Sequence, residues 1–177
     1  IGPTEFLGYE KNKSEGIVLS IIKKGVETKE INVGDEAELV TNQTPFYGES
    51  GGQIGDIGLI SNNNSNFQVF DTQKKFGDIF IHRGKLIKGK IKIKDSVNLS
   101  IDSKRRANIR ANHSATHLLH EALRRILGKH VIQKGSFVGP DKLRFDFNHM
   151  KPIEESEIKK IEKHVNEMVK SNSEVRT

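Results

Sequence analysis

The chain has 177 residues, 34% hydrophobic and 29% charged, a balance at the polar end of the globular range and long enough to bury a core. Lysine and arginine number 29 against 23 acidic residues, and the resulting charge of +6 favours an anionic partner such as RNA. The absence of cysteine excludes disulfides and thiolate-bound zinc within these residues, and no apolar run approaches the length of a membrane span.

The chain opens on Ile1 with no charged-then-apolar leader, which reads as an internal piece of a longer protein. Residues 1–102 carry the marks of β structure. Val18–Ile22 is an apolar run, Ala37–Val40 follows the turn signal Gly34-Asp35, and Phe67–Phe70 follows an Asn/Ser-rich loop. Lys90–Lys94 and Val97–Ile101 alternate with period two. Many short strands punctuated by glycine predict a small barrel.

Between these strands, Gly48, Gly51, Gly52, Gly55 and Gly58 place five glycines in eleven positions, so tight turns or close backbone approaches are expected. The segment lacks the Gly-Lys-Ser/Thr ending of a phosphate-binding loop and no helix follows it, which disfavours an ATP site. A hairpin with strained turns would satisfy the glycines alone. The polar groups of Thr44, Tyr47, Glu49 and Gln53 suit a backbone-rich pocket for a small ligand.

The pattern changes near Asp102. Residues 104–127 have helical periodicity ending at Gly128, Val131–Gly135 and Leu143–Phe147 read as strands, and a second helix is expected over Glu154–Lys170. Its acidic first turn suits the helix dipole, and Ile158, Ile161, Val165, Met168 and Val169 form its expected buried stripe. The division is therefore a β-barrel domain over 1–102 and an α+β domain over 103–177. Basic residues cluster at Lys85–Lys94 and at Lys104, Arg105, Arg106 and Arg110, where they could meet phosphate or simply be solvated.

On the first helix, His113, His117 and His120 fall within roughly 60° of one another, opposite the apolar arc of Leu118, Leu119, Ala122, Leu123 and Ile126. Two imidazoles at i, i+4 can share one metal ion, although a solvated polar face would carry the same spacing. The helix lacks the glutamate of an HExxH metalloprotease, which disfavours peptide cleavage.

Several segments, taken in order, resemble the editing region of the alanyl-tRNA synthetases over essentially the whole chain. They are Thr4–Tyr9, Thr44–Tyr47 with Glu49–Gln53, Asp71–Lys74, Asn112–His120, His130–Ser136, Leu143–Phe147 and Ile161–Asn166. The resemblance implies an α+β fold, with a small N-terminal barrel followed by an editing core of the second additional domain type shared by threonyl- and alanyl-tRNA synthetases, incomplete at its C-terminal end. It implies hydrolysis of serine or glycine esters wrongly attached to alanine tRNA, with ATP-dependent aminoacylation in absent N-terminal domains. In such proteins the HxxxH pair, here His113 and His117, shares a zinc with a downstream Cys and His. Those would lie beyond Thr177, so this chain is expected to hold zinc poorly and to be inactive alone. Gln133 matches a pocket residue of the catalytic site, and Thr44 matches a threonine that senses the substrate hydroxyl. Arg105, Arg106 and Arg110 are the candidate RNA contacts.

The implied partner is the acceptor end of alanine tRNA, with small-molecule substrate only as the aminoacyl ester. No membrane or DNA partner is expected, and the implied location is cytoplasmic. Two other readings compete: an acceptor-end binding module without chemistry, and a free-standing aminoacyl-tRNA deacylase. Since serine exceeds alanine by one hydroxyl, a hydrophobic pocket rejects it poorly and a second, hydrolytic sieve is physically motivated. On this reading Thr44, Gln53, His113 and His117 should serve one pocket, with the Gly48–Gly58 segment facing the histidine helix.

Overall fold

A computed structural model describes residues 2–171. Ile1 and the last residues of the expected second domain, 172–177, lie outside the described residues. In chain order the strands are β1 (Glu5–Phe6), β2 (Lys13–Lys23), β3 (Val26–Thr28), β4 (Glu30–Asn32), β5 (Glu36–Thr41), β6 (Gln43–Thr44), β7 (Gly58–Ser61), β8 (Asn66–Lys75), β9 (Ile79–Lys88), β10 (Lys90–Lys92) and β11 (Ser96–Ile101). Then come α1 (Ser103–Leu127), the hairpin β12 (Gln133–Val138) and β13 (Leu143–Phe147), and α2 (Glu155–Ser171). The fold is α+β with an N-terminal barrel, as expected. Neither described helix is long and apolar enough to cross a membrane.

The chain forms two compact units. The first holds the residues up to Ser50 together with Ile54–Arg106; the second holds Gly51–Gln53 with Ala107 onward. In the first unit six antiparallel strands close a barrel in the order β2-β5-β9-β8-β7-β11, and β11 returns to β2 with Ser96 opposite Ile17 and Ser100 opposite Lys13. Closure leaves the ladder without a free edge, which suits strands only one side of which is apolar. Val18, Ile21, Leu39, Phe46, Ile60, Phe67, Leu86 and Leu99 fill the interior, all fully buried. In β11 the rule is plain: Val97, Leu99 and Ile101 point in while Ser96 and Asn98 point out.

Two differences from the sequence reading have clear causes. Strand β9 shows little hydrophobic alternation because its inward row is Phe80, His82, Gly84 and Leu86, with a histidine and a glycine in the middle. The expected Lys90–Lys94 strand stops at Lys92, because Lys94 takes φ +73° in a turn held by Asp95 Oδ2, which accepts from the Lys92 amide at 2.8 Å. The run Lys85–Lys94 is therefore no continuous patch, and Lys90 is paired with Glu30 at 2.8 Å.

In the second unit Ala122, Leu123, Val131 and Ile161 form the buried core, with Leu119, Ile126, Phe145, Phe147 and Val165 packed on it. Helix α1 ends at Gly128, whose φ of +119° a side chain would resist, and Arg124 and Arg125 complement the dipole in its last turn. The strand expected over Val131–Gly135 runs from Gln133 to Val138 instead, with Val131 buried in the core just ahead of it. The stripe expected on α2 is covered only in part: Ile161 is buried and Val165 packs on the core, but Ile158 and Val169 are 42% and 56% exposed.

Candidate functional site

The middle of α1 carries the histidines. Thr116, buried, folds its hydroxyl back to the Asn112 carbonyl at 2.8 Å, and the Asn112 side-chain amide donates to the Gly139 carbonyl at 2.8 Å. That bond ties the helix to the residue that follows β12. One turn apart, the rings of His113 and His117 lie 5.0 Å centroid to centroid. His113 is half-buried and His117 exposed. Burial, and then the neighbouring His117, hold the His113 imidazole below its ordinary pKa, favouring the neutral ring a metal needs.

Gln53 reaches His113 from the glycine-rich segment. Its side chain is buried and its Oε1 lies 2.7 Å from His113 Nδ1. The backbone there is held by a parallel bridge from Gln53 to Val138 and by the Val138 amide donating to the Gly52 carbonyl at 2.8 Å. Gly52 permits this because it sits at φ +87° with no room for a Cβ against the Ser136 backbone. An amide oxygen only accepts, so Nδ1 of His113 carries the proton and Nε2 keeps its lone pair. Among the described residues nothing bonds that Nε2 or either ring nitrogen of His117.

His120 parts from the other two. It packs its ring on Phe145 at 5.0 Å, at the edge of the core, and its buried Nε2 has no partner among the described residues. Position on the helix face grouped the three histidines, but the hairpin covers only the last of them. Gln133, exposed at the start of β12, donates to Ser136 Oγ at 3.1 Å, and Ser136 Oγ donates to the Gly51 carbonyl at 3.4 Å. A second pair escaped the sequence reading: His130 Nε2 lies 2.9 Å from His149 Nδ1, bringing together residues that flank the hairpin. Only the strand pairing joins them, so spacing gave no signal.

In the barrel unit Thr44 is fully buried. Nδ1 of His82 faces the Leu39 carbonyl at 3.0 Å and must donate to it, so Nε2 accepts from the Thr44 hydroxyl at 2.8 Å. The Phe46 amide donates in turn to Thr44 Oγ1 at 3.1 Å. Complete burial pushes the His82 pKa down to about 4. Of the residues expected to share a pocket, Gln53, His113 and His117 come together within the second unit, whereas Thr44 belongs to the barrel unit.

The arginine cluster divides. Arg106 is buried, with its guanidinium paired to Asp56 and donating to the carbonyls of Gly8 at 2.9 Å and Pro45 at 3.0 Å. Arg105 is part-buried and donates to the Gly55 carbonyl at 2.8 Å, while Lys104 and Arg110 are exposed. Arg106 is thus a structural centre of the barrel unit, and the exposed charge of the cluster lies on Lys104 and Arg110.

The donor set of the second unit suits half a zinc site. Two imidazoles stand at i, i+4, and the inner one has its second nitrogen hydrogen-bonded to an amide oxygen, as metal-bound histidines characteristically do. No group of three or more potential ligands forms among the described residues, so His113 and His117 do not complete a tetrahedral site by themselves.

Comparison with known proteins shows the family. The family described as "tRNA synthetases class II (A)" matches residues 2–105. Over 177 residues the chain is 51% identical to an alanine–tRNA ligase of Rhodopseudomonas palustris, covering 100% of this chain and 20% of that protein. It is 53% identical over 176 residues to one from Chelativorans sp. and 52% identical over 178 residues to one from Parvibaculum lavamentivorans, again covering 20% of each. The chain thus spans about a fifth of the length of the curated relatives it matches. It belongs to the class II (A) tRNA synthetases, and over its whole length it is similar to alanine–tRNA ligases.

Proposed function

We propose that this chain is the part of an alanine–tRNA ligase that hydrolyses serine or glycine esters wrongly attached to alanine tRNA. The observation that carries the reading is the His113–His117 pair, with His113 held by Gln53 so that its Nε2 stays free. The remaining ligands, a Cys and a His, would come from the rest of the protein. A zinc bound there would supply polarisation of the ester carbonyl or an activated water. Gln133, exposed beside Ser136, offers an amide to the aminoacyl end.

The test is made in a ligase carrying this stretch together with the segments on either side. His113→Ala and His117→Ala are expected to slow release of serine from seryl-tRNA(Ala) by about 100-fold or more, with alanine attachment unchanged. Undiminished serine release in both variants would remove the hydrolytic reading and leave the acceptor-end binding module.

RNA contact gives a separate expectation for the chain itself. If Lys104 and Arg110 meet phosphate, Lys104→Ala and Arg110→Ala should each reduce the salt slope of tRNA affinity by about one. A slope that does not move returns both residues to plain solvated surface.

A further inference from the structure

Why should a buried glutamine be delivered to one particular histidine? The two residues sit on separate pieces of the second unit, and both pieces are fastened to the same place. Gln53 is bridged through its backbone to Val138, while Asn112, next to His113, bonds the carbonyl of Gly139 at 2.8 Å. The partners are consecutive residues at the end of β12. Their spacing sets Gln53 Oε1 against His113 Nδ1 at 2.7 Å, in a spot where only 7% of Gln53 is exposed. His117, one turn on, has no such partner among the described residues.

From this geometry we infer that Gln53 is a positioning residue that fixes the tautomer and ring angle of His113, aiming its Nε2 lone pair at the ion. The inference rests on the metal reading above. An imidazole left to itself exchanges its proton between the two nitrogens and turns about its side-chain torsions, and in the wrong tautomer Nε2 carries a hydrogen and cannot ligate. A buried acceptor on Nδ1 removes both freedoms before any ion arrives. Groups with this relation to a ligand are worth about 10–100-fold in metal affinity when removed. The Gly51–Gly52 turn gains a purpose as well: it brings the Gln53 backbone to β12, and with it the amide to the helix.

The experiment uses the chain labelled with nitrogen-15 in histidine, free of metal, at a pH where the imidazoles are neutral. Long-range proton–nitrogen correlation spectra then report which nitrogen of each ring holds the proton. In the parent chain His113 is expected as the Nδ1–H form. Gln53→Met should move it to the Nε2–H form, and Gln53→Glu, which retains an acceptor, should restore Nδ1–H. The ring of His117 serves as an internal control and should not change. Zinc titration of a ligase carrying this stretch together with the segments on either side should show Gln53→Met binding about tenfold more weakly than the parent, with Gln53→Glu close to it. An unchanged His113 tautomer in Gln53→Met overturns the inference. Zinc bound equally by that ligase and by its His113→Ala variant overturns the metal reading instead, and the tautomer result then judges the Gln53 bond by itself.

Discussion

Arg106→Ala is expected to remove about 3–5 kcal/mol of folding stability, the range for breaking a buried ion pair from one side. The guanidinium meets the Asp56 carboxylate and the carbonyls of Gly8 and Pro45, three segments far apart in sequence. Truncation leaves Asp56, itself only 1% exposed, with the Tyr47 amide on Oδ2 and no countercharge, and two carbonyls lose their donor as well. Arg106→Lys should recover only part of the loss, since an ammonium cannot reproduce the planar fork that reaches all three acceptors. Urea unfolding followed by circular dichroism measures the difference. A cost under about 1 kcal/mol would show that the pair contributes little, as exposed pairs do.

The second large effect is acid sensitivity through His82. Its folded pKa of about 4 lies below its ordinary value of 6.5, because burial disfavours the charged ring. Between those two values the unfolded chain takes up a proton that the folded chain refuses. Stability from this residue is therefore complete above pH 6.5, falls as the pH drops, and stops falling below about 4 where both states are protonated. The whole window corresponds to about 3 kcal/mol. Unfolding free energies measured from pH 7 to 4 should show uptake approaching one proton beyond that from the carboxylates and His113. His82→Gln should lose that component while lowering stability at every pH, because it disturbs the bonds to Thr44 and Leu39. Equal pH slopes in the two proteins would mean that His82 is hydrated and titrates normally.

What could be read from sequence was local. Val97–Ile101 and Leu143–Phe147 carry side chains whose alternation matches the strands they form, and the α1 periodicity ends at Gly128 as its glycine requires. Strand β9 escaped because two of its inward positions, His82 and Gly84, earn their places by a hydrogen bond and by a close approach to the Gln68 carbonyl. Neither reason has a period. The arginine cluster was visible as charge, but its division was not, since Asp56 lies fifty residues from Arg106. The histidine pair was legible from its spacing; the assignment of His113 to Gln53 and of His120 to Phe145 needed the hairpin and the bridge at Val138.

The closing seam of the barrel sets an order of events during synthesis. Strand β2 is made more than seventy residues ahead of β11, so one of its edges must wait for that strand, at the far end of the same unit. Until then the nascent sheet has an open, hydrogen-bond-hungry flank, of the kind that pairs with neighbouring chains. Such distant pairing also places the barrel among slow-folding topologies. The exposed lysines along β8 and β9, Lys74, Lys75, Lys85 and Lys88, are well suited to that interval, because like charges on growing copies keep the unfinished sheets apart.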